Sequence, residues 1–182
     1  AGILLGDGVL VGWQQYQSWR ERQSLAASDK YTQAVDALAR GDRATATRLA
    51  DELKSGYART PYADMAELAL ARFHVEDGKL PEAAKYLADV MSTSKDEELR
   101  LVARLRLARV QRAQGDVDAA LATLGGAEAG GFAPAFAEVR GDLLLDKGDR
   151  AGALAAYREA AAATTPGLID AAALQLKIDH LG

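Results

Sequence analysis

A turn glycine recurs along this sequence at nearly constant spacing, and it constrains the fold more than any other feature. The glycines are Gly41, Gly78, Gly115 and Gly148, so successive turns are 37, 37 and 33 residues apart. Glycine readily adopts the left-handed conformation that ends a helix, and an aspartate directly after it can cap the next helix. An aspartate follows every turn glycine except Gly78, which is followed by Pro81 where a first helical turn tolerates proline. The pattern predicts four helical hairpins.

Small residues stand at matched positions on both sides of each predicted turn. Alanine or glycine lies seven residues before each glycine, and alanine lies five residues after it. These positions are Ala34, Ala71, Ala108 and Gly141 before the turns, and Ala46, Ala83, Ala120 and Ala153 after them. Small side chains let the two helices of a hairpin approach closely. Since one hairpin cannot bury its apolar face alone, we expect the hairpins to stack into a solenoid. An alanine-rich helical bundle without true repeats is the alternative.

This order of small residue, turn glycine and alanine resembles the tetratricopeptide repeat (TPR) family, whose unit has about 34 residues. The fourth repeat matches best, at Gly141, Leu144, Gly148, Ala153, Tyr157, Ala160 and Pro166. The first three repeats lack the aromatic residue and the Leu-Gly pair usual early in the first helix. Their extra residues are placed in loops around residues 57–61 and 91–95. The resemblance implies an all-α fold, a TPR-like right-handed superhelical solenoid of helical hairpins.

The first thirteen residues, AGILLGDGVLVGW, are apolar except for Asp7 and lead into Trp13, Tyr16 and Trp19. A membrane-spanning helix needs about 20 apolar residues, and aromatic side chains favour the headgroup region. We therefore interpret residues 1–19 as the end of a transmembrane anchor helix and residues 20–182 as the TPR-like domain. The hydrophobic part of a signal peptide, a buried core helix and an appended tail are the alternatives, and Asp7 counts against a lipid-facing helix. The residues leave open on which side of the membrane the domain lies.

Helical periodicity runs from Gln14 to Arg40 and predicts that the anchor helix continues into the first repeat. Thr60-Pro61 is expected to begin the helix that ends at Asp77. Ser94 and Glu97 have the spacing of a capping box for the helix that ends at Gln114.

The C-terminal part has two further features. The segment Gly125–Gly131 contains four glycines and is predicted to be a loop, with a hinge as a functional alternative. Thr165-Pro166 precedes a predicted capping helix, residues 168–181. The residues expected to cover the end of the solenoid are Ile169, Ala172, Ala173, Leu176 and Leu181.

The sequence offers little for catalysis. It has no cysteine, and its two histidines, His74 and His180, lie in different predicted helices without metal-ligand spacing. We expect both to be packing or surface residues. No phosphate-binding loop is present, and the net charge of −4 carries no basic footprint of a nucleic-acid binder. We predict a protein that is not an enzyme, without metal or other cofactor, small-molecule substrate or nucleic-acid partner.

With catalysis and nucleic-acid binding disfavoured, the remaining candidate for function is a protein-binding surface. In TPR domains the first helix of each pair lines the concave face. Carried over to this chain, that register predicts a protein-binding face of Tyr31, Val35, Met65, Leu68, Arg72, Val75, Leu105, Arg109, Arg112, Glu138 and Asp142. The pattern differs from the TPR carboxylate clamp, because apolar residues and arginines stand where Lys and Asn are required. Arg72, Arg109 and Arg112 are candidates for meeting an acidic partner, and ordinary solvated helix charges are the alternative.

Anchor and repeats together resemble the YfgM-like family of ancillary SecYEG translocon subunits. The most specific parts are residues 13–31 and the Thr-Pro-Tyr-Ala block at residues 60–63. The resemblance implies a single-pass protein of the bacterial inner membrane with its TPR-like domain in the periplasm. It also implies partners, the SecYEG translocon and a membrane-anchored periplasmic chaperone of the prolyl-isomerase type, and no catalytic residues.

The function expected from these features is that of a non-enzymatic, membrane-tethered TPR adaptor near the exit of the Sec translocon. It would recruit a periplasmic chaperone or secreted chains. The alternative is a structural scaffold, or oligomerisation subunit, of an envelope protein complex.

Overall fold

The computed structural model describes residues 3–163 and 169–182, with side chains from Trp13 onward. Every regular element in this part of the chain is helical. The α-helices are α1 (Ile3–Ala39), α2 (Arg43–Gly56), α3 (Tyr62–Glu76), α4 (Leu80–Thr93), α5 (Glu97–Ala113), α6 (Val117–Gly125), α7 (Ala133–Asp146), α8 (Arg150–Ala162) and α9 (Ala171–Leu181). A short 3₁₀ helix, Gly130–Phe132, precedes α7. The predicted all-α class is confirmed over the described residues.

The structure has the predicted turn at all four recurring glycines. Their φ angles are 75°, 73°, 82° and 81° in chain order. In each turn the residue after the glycine donates its backbone N–H to the carbonyl five residues earlier, as Asp116 does to Gln111 at 2.9 Å. This bond satisfies a carbonyl that the helix end would leave unpaired. The carboxylates of Asp42, Asp116 and Asp149 then accept a backbone N–H three residues on, whereas Lys79 makes no side-chain cap.

The chain divides into two compact units, residues 1–70 and 71–182, and α3 contributes to both. The predicted boundary at residue 19 lies within α1, which continues through that point as predicted, and the boundary itself stays a prediction. In the first unit, α1 and α2 form a hairpin whose interior is alanine and leucine. Its fully buried members are Ala27, Ala37, Ala46 and Leu53. Lys30 pairs with Glu52 at 2.6 Å beside this interior.

The second unit has a larger core, described by two clusters of buried side chains. One joins α5, α6 and α7 and contains Leu101, Leu105, Ala108, Ala120, Leu124, Ala135, Phe136, Val139 and Leu143. The other joins α7, α8 and α9 and contains Ala137, Ala153, Tyr157, Ala160 and Leu174. All four positions predicted to be small before the turns are buried, as are the four alanines after them. The repeat pattern therefore predicted which positions beside each turn are buried. The right-handed superhelical solenoid stays a prediction.

Two predicted helix starts need correction. Asp96, not Ser94, caps α5, and its carboxylate accepts the N–H groups of Glu98 and Leu99. Asp96 directly precedes the first helical residue, whereas the Ser94 hydroxyl accepts the N–H of Asp96 within the loop. The hydroxyl of Thr60 donates to the carbonyl of Tyr57 at 2.8 Å, so it closes the loop before α3.

The C-terminal helix begins later than predicted and buries a different face. Thr165-Pro166 and Leu168, where the capping helix was predicted to begin, lie outside the described residues. Asp170 caps α9 by accepting two N–H groups, which sets the start at Ala171. With that register Leu174 is 1% exposed in the α7–α9 cluster, whereas Leu176 is 71% exposed. Leu176 was therefore wrongly predicted to cover the end of the repeats; Leu181 and Ile169 do pack on the core.

Helix α1 continues from the apolar segment into the first repeat, as the periodicity predicted. Within the described residues, however, no helix carries an apolar stretch of the length and hydropathy needed to cross a bilayer. Trp13, Tyr16 and Trp19 lie on α1 with 60%, 46% and 42% of their surface exposed. Their rings form a ladder, with centroids 6.3 and 6.2 Å apart.

Candidate protein-binding groove

An open groove of about 340 Å³ lies in the second unit among α3, α4 and α5. We call it the α3–α5 groove; its lining residues are Ala71, Arg72, Val75, Glu76, Leu87, Arg106, Arg109 and Val110. Three of these, Arg72, Val75 and Arg109, belong to the predicted protein-binding face. They lie together because α3 and α5 each present one side to the groove, so residues three or four apart on each helix line it.

The floor of the groove is apolar. Leu87 on α4 and Val110 on α5 are 1% and 5% exposed, so they are held in the core and fix the shape of the floor. Val75 on α3 stands above them and remains 41% exposed. An exposed valine next to a rigid apolar floor offers a place where an aliphatic side chain of a partner can leave water.

The rim of the groove is strongly basic. Arg72 pairs with Glu76 one turn later, with 2.8 Å between Nε and the carboxylate. Arg106 and Arg109 are exposed, and neither has an ion-pair or hydrogen-bond partner among the described residues. Although Arg106 is exposed as a residue, partial desolvation of its guanidinium lowers its pKa, and the charges of Arg109 and Arg72 lower it further. Three like charges thus repel one another around one apolar floor.

Arg106 was missed by the sequence analysis. It lies three residues before Arg109 on α5, and this spacing puts the two guanidinium groups on the same helix face. The TPR register marked Arg109 but not Arg106. A search for arginines one helical turn from each predicted surface position would have found Arg106.

Three other predicted residues lie in a closed ion network of the second unit. Lys177 on α9 contacts Glu138 and Asp142 at 2.8 Å each. Arg112 contacts Asp142 at 3.2 Å and Asp146 at 2.5 Å. The Tyr157 hydroxyl donates to Asp142 at 2.7 Å. Arg112, Glu138 and Asp142 are therefore occupied within the chain, and Arg112 is a weaker candidate than Arg109 for an acidic partner.

The network also perturbs the protonation of its members. The hydrogen bond from Arg112 lowers the pKa of Asp146. Burial raises the pKa of Tyr157, and the hydrogen bond to Asp142 raises it further, because an ionised phenol would face that carboxylate. The network thus favours the neutral form of Tyr157.

This arrangement predicts that the protein loses stability at alkaline pH and that part of the loss comes from the Tyr157 hydroxyl. The folded-state pKa of Tyr157 lies above the unfolded value of about 10, so its contribution is complete below that pH and is lost as pH rises. Tyr157→Phe removes the Asp142 hydrogen bond and should cost about 1 kcal/mol near neutral pH. Its deficit relative to wild type should shrink above about pH 10. Urea unfolding at neutral and alkaline pH measures this; the exposed Tyr16→Phe serves as control, and a deficit independent of pH would contradict it.

The remaining predicted surface residues are scattered. Leu68 and Leu105 are each 7% exposed and belong to the core, so they present no surface to a partner. Tyr31 is half-buried against Tyr62, with ring centroids 5.9 Å apart. Met65 is also half-buried, and Val35 is exposed on α1. The predicted face therefore combines buried and exposed positions, and its role in binding stays a prediction.

The groove is lined by guanidinium groups, aliphatic side chains and one carboxylate. Within residues 3–163 and 169–182 no three His, Cys, Asp or Glu side chains are grouped so that they could hold a metal ion. His74 stacks on Tyr86 with ring centroids 5.6 Å apart, as expected for a packing residue. Guanidinium groups over an apolar floor can hold carboxylates and aliphatic side chains.

Comparison with known proteins covers the whole chain. A family model described as a tetratricopeptide repeat-like domain matches residues 1–182. The chain is 36% identical to the ancillary SecYEG translocon subunit of Escherichia coli (strain K12) over 184 aligned residues, which cover 99% of this chain and 86% of that protein. It is 30% identical to the protein of the same name from Aggregatibacter actinomycetemcomitans, over 98% of this chain and 86% of the relative. No solved structure matches significantly.

Proposed function

Because this chain belongs to the tetratricopeptide repeat-like family of ancillary SecYEG translocon subunits, we propose that it is a non-enzymatic adaptor beside the Sec translocon. The observation that carries this proposal is the α3–α5 groove, an open surface with unpaired arginines around an apolar floor. Guanidinium groups around an apolar floor suit the carboxylates and aliphatic side chains of a polypeptide. The adaptor recruits a periplasmic chaperone of the prolyl-isomerase type, or secreted chains, to the translocon.

The proposed location is the bacterial inner membrane, with one anchoring helix and the TPR-like domain in the periplasm. Two features support a tether at the N-terminal end. Residues 1–13 are apolar apart from Asp7, and the ladder of Trp13, Tyr16 and Trp19 is exposed on α1 directly after them. Exposed tryptophan and tyrosine rings fit the headgroup region, where one end of the ring is apolar and the other wet.

Tethering also gives the proposal a physical mechanism. An adaptor held at the membrane meets neighbours in the same bilayer at a high effective concentration, so a groove of low affinity is sufficient for recruitment. A groove of this size is near the lower end of ligand pockets, about 300–1,000 Å³. It is large enough for only a short segment of a partner, so we expect a modest affinity.

Photocrosslinking in native membranes tests this function. A photoreactive amino acid at Val75 should trap a translocon subunit or a membrane-anchored chaperone. The control is Leu176, an apolar position on α9 that is 71% exposed and so more accessible than Val75 at 41%. We expect crosslinks to envelope proteins from Val75 that are absent from Leu176. Recovery of cytosolic proteins only, or of the same proteins from both positions, would contradict the adaptor function.

A further inference from the structure

The arginines of α5 separate into two groups that differ in whether they have an acceptor. Arg100 donates to the carbonyl of Ser94 and also pairs with Glu97. Arg104 donates to the carbonyl of Thr123 at 2.7 Å, and Arg112 belongs to the ion network. Arg106 and Arg109, both on the groove side, have no such acceptor in the described part of the chain. The unsatisfied cations of α5 are therefore concentrated at one place.

The charge balance of the α3–α5 groove is incomplete without a ligand. Its lining has three arginines and one carboxylate, that of Glu76, which is used by Arg72. Placing three guanidinium groups around an apolar floor costs free energy through mutual repulsion and desolvation. An anion held between Arg106 and Arg109 removes part of that cost, and forked guanidinium groups bind carboxylates through paired hydrogen bonds.

The apolar floor adds a second requirement. Val75 is exposed directly beside Leu87 and Val110, so a ligand that is only charged would leave this surface wet. An aliphatic side chain placed on Val75 gains about 25 cal/mol for each Å² of apolar surface removed from water. The arginines and the apolar floor together favour a segment in which an aliphatic residue has acidic residues close to it in sequence.

We propose, on the basis of the adaptor function above, that the α3–α5 groove binds a polypeptide segment presenting an aliphatic side chain flanked by carboxylates. The aliphatic side chain lies on Val75 above the floor, and the flanking carboxylates pair with Arg106 and Arg109. Glu76 limits the affinity for this segment, because it occupies the guanidinium of Arg72 and repels an incoming acid.

Fluorescence anisotropy with a labelled synthetic peptide tests the proposal on the purified chain. The probe carries leucine flanked by glutamates; one comparison peptide replaces the glutamates by glutamine and another replaces the leucine by serine. The combined Arg106→Glu and Arg109→Glu variant should bind the probe at least tenfold more weakly, because two charge-assisted hydrogen bonds are replaced by repulsion. Glu76→Gln should tighten binding about twofold or more, since Arg72 becomes available. Arg158→Glu, a charge reversal at an exposed arginine of α8, should leave it unchanged.

Several outcomes would overturn the proposal. Equal binding by the Arg106→Glu and Arg109→Glu variant, or an equal loss in Arg158→Glu, would show that the groove is not the site. Equal binding of the glutamine peptide would remove the acidic requirement, and equal binding of the serine peptide would indicate charge attraction alone. Circular dichroism of each variant checks that it is folded. Peptide selectivity and membrane crosslinking can fail separately, so a failure of this proposal is distinguishable from a failure of the adaptor function.

Discussion

Truncating Leu143 to alanine should lower the free energy of unfolding by about 2–5 kcal/mol, the cost of a cavity at a site that cannot collapse. Leu143 on α7 is 0% exposed and packs in the cluster that joins α5, α6 and α7. It also follows Asp142, so neighbouring side chains are held by the ion network and have little freedom to fill the space. Urea unfolding of the purified chain, followed by far-ultraviolet circular dichroism, measures the loss.

Leu176→Ala is the matched control for Leu143→Ala. The same atoms are removed from a leucine of the same unit that is 71% exposed. Its effect should stay within about 0.5 kcal/mol, as for ordinary surface substitutions. Comparable losses in the two variants would contradict the assignment of the core, because they would require Leu176 to be as well packed as Leu143.

Adding a methyl group at Gly141 is expected to have the second large effect. A Cβ built there would lie 2.4 Å from Cε1 and 2.5 Å from Cδ1 of Tyr157. The ring cannot move aside easily, because Tyr157 is 1% exposed and its hydroxyl is bonded to Asp142. Overpacking of this kind costs about 1–3 kcal/mol. That cost exceeds the gain of up to about 1 kcal/mol in helix propensity from Gly to Ala. Gly141→Ala should therefore lower the urea midpoint.

Gly125→Ala is the control for Gly141→Ala, because it adds the same methyl group at a position without a clash. Gly125 is the last residue of α6, and nothing lies within 4 Å of a Cβ placed there. The variant should be as stable as wild type or more stable by up to about 1 kcal/mol. If Gly141→Ala behaved like Gly125→Ala, the close approach of α7 and α8 would be disproved.

The hairpins were predictable because their signals are local. A glycine in the left-handed conformation, an aspartate after it and small residues at fixed offsets act within about one turn of helix, and all four turns were located from them. The predicted cap of α5 was wrong because the Ser94 and Glu97 spacing matches a capping box, whereas the residue directly before the helix is Asp96. The buried face of α9 was also predicted wrongly. Asp170 caps this helix, and with that start Leu174, not Leu176, lies in the core.

The candidate site was predictable in part. TPR register marked Arg72, Val75 and Arg109, which do line one groove. It could not show that Arg112 is neutralised by Asp142 and Asp146, because those partners lie 30 and 34 residues away in sequence. The pairing of Lys177 with Glu138 and Asp142 could not be predicted for the same reason. Which charges are free is decided by packing between repeats, and a single-repeat pattern contains no information about it.

Helix α1 has a mechanical consequence. Between Trp13 and Ala39 it contains neither glycine nor proline, the residues at which helices usually kink. At 1.5 Å per residue this stretch is a rod about 40 Å long. A tilt of the aromatic end therefore also tilts the buried alanines at the other end, because no kink lies between them. The orientation of the first hairpin thus depends on what Trp13 and Trp19 contact.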